Sequence, residues 1–335
     1  MNKKGLYTKV KGLIKYFIYK DFRDRCTRMK SYGEVNADKR FYILRADSPY
    51  YGILTVYLGI LNEIEWAVEN GYIPMVDAKN NFLPLCQDED KAYKENAWEY
   101  YFEQPVRGFS LEEVYQSKYV RLGWKNLSFP DGERWMKKIL TQEEIMRWNP
   151  IVKKYMDFKP QIWESAHKFY SENKMSRHKV LGVVMRASFY RGELLKLKLF
   201  DGHPRQKSLQ DCLDMVEKYK KEMECEYIFV SVEDREWAQT FKKKYGANCL
   251  LLERPLLHLF ENGKVIERTE EIWKERKGVA IREYTEKYLV ECGILSMCNS
   301  LLSYMGSSAG IVAQLHNGGA YENVKIYSEG TIGEI

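Results

Sequence analysis

Residues 178–206 read H-K-V-L-G-V-V-M-R-A-S-F-Y-R-G-E-L-L-K-L-K-L-F-D-G-H-P-R-Q, and this stretch decides the fold. From Val180 to Met185 the run is apolar without alternation, as in a parallel strand buried on both faces. It ends in Arg186, and a segment with further cations, Gly192, Gly202 and His203 follows. In an open α/β sheet, ligands lie outside the carboxyl ends of the strands. Arg186 is therefore placed to hold a phosphate or carboxylate through its forked guanidinium.

The pattern continues downstream. Ser208 and Asp211 cap a helix with Leu209, Cys212, Leu213 and Val216 on one face. Tyr227–Val232 reads as a strand, Asp234–Lys244 as a helix stopped by Gly246, and Asn248–Leu252 as a third strand. Arg282–Cys292 is helical in pattern and Ser300–Ser303 is a short fourth strand. Gly306-Ser307-Ser308-Ala309-Gly310 opens another helix before a last strand at Val324–Tyr327. Upstream, the strand Phe41–Arg45, a helix over Ile53–Glu69 closed by Gly71, and the strand Ile73–Asp77 make one βαβ unit. The run E-N-A-W-E-Y-Y-F-E-Q-P at 95–105 is dense in aromatics, and Trp98 reads as core. Ser110 with Glu113 and Thr141 with Glu144 mark two further helix starts, the second helix spanning about 141–157. Strands alternating with helices predict parallel, doubly wound sheets. The expected division is a basic amphipathic helix at 1–35, an α/β domain at 36–160, a helical linker at 161–178 and a second α/β domain at 179–335, with a ligand cleft between the two domains.

Composition restricts the function classes. The chain of 335 residues carries a net charge of +6, but residues 1–30 alone hold ten Lys/Arg against two Asp. The rest of the chain is therefore close to neutral, which argues against a nucleic-acid partner, since that would want a basic face on the folded body. Leu6, Val10, Leu13, Ile14 and Phe17 recur at helical spacing among lysines, so the N-terminal segment suits either an anionic membrane surface or packing on the body. Lysines interrupt its apolar run, so it is not a signal peptide. The longest charge-free stretch, Gly293 to Tyr321, holds too many Ser and Asn residues for a lipid-facing span. Seven cysteines without a C-x-x-C pair point to reduced thiols in an intracellular setting. Five histidines without metal spacing argue against zinc.

Two strand ends carry the chemistry. The loop Gly306–Gly310 begins a helix, whose N-terminus offers unpaired N–H groups and a positive dipole. Arg186 and this loop together would grip a diphosphate from two sides without a metal. Neither G-x-G-x-x-G nor the P-loop pattern is present, and no D-x-D triplet sits at a strand end to hold a divalent ion.

These residues resemble a family. G-V-V-M-R-A-S-F-Y, G-H-P-R-Q-K-S-L, F-V-S-V-E-D, Y-L-V-E-C-G-I-L-S-M-C-N-S-L-L and G-S-S-A-G follow one another as in the donor domain of the GDP-fucose fucosyltransferases. That superfamily includes the α1,6-, nodulation and protein O-fucosyltransferases. The run at 95–105 resembles its bacterial members in surface-polysaccharide clusters, and the likeness spans most of residues 40–328. The resemblance implies a GT-B-type fold of two Rossmann-like domains, and a metal-independent enzyme that needs no cofactor beyond its nucleotide-sugar donor. It implies Arg186 on the donor diphosphate, Glu291 near the guanine base, Ser307 and Ser308 beside the phosphates with Gly306, Glu233-Asp234 as the acidic loop, and His203 near the cleft. Arg191 or Arg205 would add charge to the leaving diphosphate.

An inverting transfer needs a base at the acceptor hydroxyl. Glu193 is the expected carboxylate, with Asp201 second, and a solvated loop acid is the alternative for Glu193. Acceptor sugars are gripped by aromatic faces and carboxylates, which nominates Asp47, Tyr50, Tyr51, Asp77 and Trp98 on the first domain, with a place in the core the favoured alternative for Trp98 and an equal one for Tyr50. The acceptor would be a surface glycan or a lipid-linked glycan. The enzyme would be cytoplasmic, held at the inner membrane face by residues 1–30. Two positions depart from the family: Phe189 stands where it has an aspartate, and Val184 where it has a histidine. They open a second reading, a non-catalytic nucleotide-sugar or glycan-binding relative.

Overall fold

The computed structural model describes residues 27–46, 52–80, 83, 86–123, 135, 138–186, 204–256, 260–261, 264–265 and 280–330. They form two α/β halves. In the first, β1 (Met29–Lys30), β2 (Phe41–Arg45), β3 (Ile73–Asp77) and β4 (Val120–Leu122) make a sheet ordered β1-β4-β2-β3. β2 pairs parallel with β3 and β4, and only the short edge strand β1 runs antiparallel. Helix α1 (Ile53–Glu69) links β2 to β3. It is buried on nearly every side because the sheet covers one face and helices of the second half cover the other.

After the single turn α2 (Leu111–Val114), helices α3 (Gln142–Tyr155) and α4 (Pro160–Glu172) cross between the halves. Thr141 and Glu144 close the expected capping box on α3. The second half has a five-stranded parallel sheet ordered β11-β10-β5-β6-β7. Its strands are β5 (Val180–Met185), β6 (Tyr227–Val232), β7 (Cys249–Leu250), β10 (Ser300–Tyr304) and β11 (Asn323–Tyr327), with a small hairpin β8 (Phe260–Glu261) and β9 (Lys264–Val265). Helices α5 (Leu209–Glu222), α6 (Arg235–Tyr245), α7 (Ile281–Ser296) and α8 (Ser308–Asn317) connect them. The α/β class with two largely parallel sheets is what the alternation of elements predicted.

The halves share one apolar core. It runs from Tyr42, Ile60 and Trp98 through Trp148, Phe158 and Ile162 to Val184, Leu295 and Val312. Helix α4 packs on α7, and α8 packs on both α1 and α3. Gly182 in the middle of β5 lets α7 come close: a Cβ there would lie 3.1 Å from Leu295 Cδ2. The opposite face of the second sheet has its own cluster under α5 and α6, built on Val183, Val216, Trp237 and Phe241. Trp98 is fully buried and stacks on Phe102 at 4.1 Å. The six cysteines among the described residues form no disulfide with one another, and all are buried. No helix among the described residues is long and apolar enough to cross a membrane.

Candidate functional site

Parallel pairing fixes where the strand ends fall. Ser303 of β10 lies opposite Val184 of β5, so the turn after Tyr304 sits beside Arg186 at one edge of the sheet. Helix α8 starts from that turn. Its N-cap, Ser307, makes no side-chain cap bond, no acid occupies the first turn, and the Ser307 hydroxyl is buried without a hydrogen-bond partner. Helices α3, α5 and α6 differ: Thr141, Ser208 and Asp234 each accept a backbone N–H at their starts. Gly310 allows this open end to lie against β10, because a Cβ there would overlap the Ser303 hydroxyl. The N-terminal turn of α8 thus presents N–H groups, a helix dipole and two serine hydroxyls with no carboxylate among them.

Arg186 is held from three directions. Its backbone N–H donates to Gln206 Oε1 at 3.0 Å. Its Nη1 lies 3.0 Å from Glu233 Oε1 and donates to the Tyr288 hydroxyl at 3.3 Å. The side chain is 19% exposed and Glu233 6%, so the pair sits at the border between core and solvent, where charge interactions are screened less than on an open surface. Burial keeps the Tyr288 phenol protonated, since it pushes the pKa above the ordinary value. Gln206 is fully buried and is itself fixed by donating to the Tyr327 hydroxyl at 2.8 Å.

One layer deeper lies a buried ion pair. Arg254 Nε donates to Glu291 Oε1 at 2.8 Å, its Nη2 donates to the Val232 carbonyl at 2.8 Å, and Ser231 Oγ donates to Glu291 Oε2 at 2.7 Å. Burial pushes the Glu291 carboxyl up, opposed by Arg254 and then by Ser231. The Arg254 guanidinium also lies 5.1 Å from the Tyr284 ring.

The expected donor residues therefore divide. Arg186, Glu233, Gly306, Ser307 and Ser308 come together at the carboxyl edge of β5, β6 and β10. Glu233 meets Arg186 directly. Asp234 is fully buried and caps α6 by accepting from the Trp237 N–H at 2.9 Å. Glu291 sits beside the cluster, 2% exposed and engaged by Arg254. Arg205 is fastened to the C-terminal strand end, its N–H donating to the Gly330 carbonyl at 2.8 Å and its Nε 3.8 Å from Glu329. Glu193 and His203 lie outside the described residues, as do Asp47, Tyr50, Tyr51 and the basic segment 1–26.

Asp77 is placed, but not as an acceptor contact. It is fully buried at the end of β3. Its Oδ1 accepts the N–H groups of Lys79 and Asn80, and its Oδ2 accepts the Asn80 amide and the Tyr115 hydroxyl. Those four donors fill the carboxylate's acceptor sites and leave none for a sugar hydroxyl.

Across from α8, the first half brings up the start of α1. Its N-cap, Gly52, has no side-chain bond, and no acid follows in the first turn. Thr55 Oγ1 lies 3.1 Å from Ser308 Oγ, so the first turns of α1 and α8 touch where the two sheets present their carboxyl ends. Sequence reasoning missed Thr55, Gln206, Tyr288 and Arg254. Gln206 adjoins Arg205 in the quoted G-H-P-R-Q segment, and no local pattern marks the other three.

No family model matches the chain, and no curated protein is significantly similar to it. Among solved structures it is similar to POFUT1 in complex with GDP, at 9% identity and a TM-score of 0.49, over 86% of this chain and 99% of that one. It is similar also to POFUT1 in complex with GDP-fucose, at 9% identity and a TM-score of 0.46, over 86% and 98%.

Proposed function

We propose that this chain is a glycosyltransferase that takes a sugar from a nucleoside diphosphate donor, GDP-fucose in the fullest form of the reading, and passes it to a surface or lipid-linked glycan without a metal. One arrangement carries the proposal: Arg186 at the end of β5 beside the uncapped start of α8, with Ser307 and Ser308 in its first turn. A leaving diphosphate gathers negative charge as the bond to the sugar breaks. Donors fixed in advance stabilise that charge without reorganising. Glu193 would take the proton of the acceptor hydroxyl, whose oxygen attacks the anomeric carbon while the diphosphate departs with the bonding electrons.

The replacement of the family's aspartate by Phe189 favours the second reading, a non-catalytic relative. Against it, Arg186 still has an anionic partner, because Glu233 from the neighbouring strand end pairs with it at 3.0 Å. The direct test is to incubate the protein with GDP-fucose and a glycan acceptor extract and to measure GDP release. Release above the no-acceptor rate is the expected result. Tight donor binding without release would make the protein a binding module, and no binding would overturn both readings. The membrane part of the proposal is separate. Deleting residues 1–30 should move the protein from the membrane pellet to the supernatant at physiological salt, and an unchanged distribution would remove that part.

A further inference from the structure

The C-terminal end of α8 is anchored to the rest of the molecule independently of its N-terminal turn. Asn149 Nδ2 donates to the Leu315 carbonyl at 2.7 Å, and the Tyr57 hydroxyl lies 3.2 Å from His316 Nε2. Apolar contact of α8 with α1 and α3 supports the helix between its ends. The hydroxyl of Thr55 is therefore not required to dock α8.

A serine hydroxyl has a single proton to give. In the pair formed by Thr55 Oγ1 and Ser308 Oγ, either atom can be the donor. An oxyanion at the start of α8 only accepts, so Ser308 serves it only by giving its proton to the ligand and receiving one from Thr55. The resulting chain, Thr55 to Ser308 to oxyanion, polarises each hydrogen bond in turn. Both residues are half-buried, within reach of a ligand yet shielded from bulk water. The neighbouring Ser307 hydroxyl, buried and without a partner, is a second donor at the same helix end.

We infer that Thr55 is a positioning residue of the donor site: it donates to Ser308 and thereby turns the Ser308 hydroxyl toward a phosphate oxygen at the start of α8. This rests on the reading that a nucleoside diphosphate binds there, and it adds a residue of the first half to a site otherwise built by the second. The test is calorimetric titration of the full chain and its Thr55→Val and Thr55→Ser variants with GDP and, separately, with inorganic pyrophosphate. Thr55→Val keeps the side chain's shape and removes its proton. It should weaken both ligands by about three- to tenfold, the worth of one neutral hydrogen bond, while Thr55→Ser restores wild-type affinity at an unchanged melting temperature.

Equal affinity of wild type and Thr55→Val would overturn the inference, as would a Thr55→Ser variant as weak as Thr55→Val. Binding of pyrophosphate but not GDP to the wild type would overturn the nucleotide reading, and the Thr55 comparison would then be decided on pyrophosphate. Binding of neither ligand would overturn both.

Discussion

The carboxyl ends of the two sheets differ in what their polar side chains are committed to. At the first sheet, Asp77 accepts from four donors, and Arg45 donates through both Nε and Nη2 to the Gly123 carbonyl. At the second, the start of α8 keeps its N–H groups uncapped, the Ser307 hydroxyl has no partner, and Arg186 pairs with Glu233 at the solvent border. A charged side chain at a strand end is therefore not enough to make a site. What distinguishes the second edge is hydrogen-bonding capacity that the fold has not already filled. Directly beneath it lies the opposite extreme, the Arg254–Glu291 pair, with both partners almost wholly buried.

The sharpest test of that distinction is the buried pair itself. Arg254→Met leaves the Glu291 carboxylate buried against Ser231 alone, and the loss of one partner of such a pair costs about 3–5 kcal/mol. A urea unfolding curve should show that loss, and the double change Arg254→Met with Glu291→Leu should recover most of it. If the single variant is as stable as the wild type, the pair is not the fixed floor of the site.

Next comes a crossed comparison of Asp77 and Arg186. Asp77→Ala strands four donors and should lower stability by about 2–3 kcal/mol, with GDP affinity unchanged once the protein is folded. Arg186→Ala should do the reverse, weakening GDP at least tenfold, as expected for a charge-assisted bond of about 1.5–3 kcal/mol, with a small effect on unfolding. Calorimetry and urea melts on the same two proteins check both arms. A loss of GDP affinity in Asp77→Ala would return the first sheet's edge to the binding site, and unchanged affinity in Arg186→Ala would remove the second's.

Much of the fold was legible because its signals are local. The bounds of β2, α1, β3 and β6 coincide with the apolar runs and the stops that flank them. β1 and β4 were not legible: Met29–Lys30 and Val120–Leu122 are short, mixed in polarity and defined by pairing with distant chain. The expected strand at 248–252 shortens to Cys249–Leu250 for the same reason, since only two of its residues find partners on β6. The site follows this division. Arg186 and the turn at Gly306–Gly310 announce themselves by a strand end and a glycine turn. Thr55, 253 residues from Ser308, and Tyr288, 102 from Arg186, are brought there only by folding. The pair Glu233-Asp234 shows how narrow the margin is: of two neighbouring acids, one reaches the arginine and the other caps a helix.

The smallest expected effect concerns the seam between the halves. His316, on the last turn of α8, lies among Tyr57, Phe158 and Trp163, with Asp157 Oδ1 3.9 Å from its Nδ1. Burial, aided by the charge of Lys153, lowers its pKa to about 3, from an ordinary value near 6.5 in the unfolded chain. The native ring is therefore neutral wherever the unfolded ring has gained a proton. Stability from this residue is fully present above about pH 6.5 and falls toward pH 3, by about 1.4 kcal/mol per pH unit. Urea midpoints measured from pH 7.5 to 5 should decline more steeply for the wild type than for His316→Gln, which is less stable at neutral pH but has no ring to protonate. The sign sharpens the contrast between the two sheet edges. A proton taken up at His316 would disturb the seam that carries the C-terminal end of α8, so acid should loosen the shared core before it alters Arg186, which keeps its charge throughout that range. Parallel slopes for the two proteins would mean that the His316 ring is protonated in the folded protein, and that the seam is wetter than its packing implies.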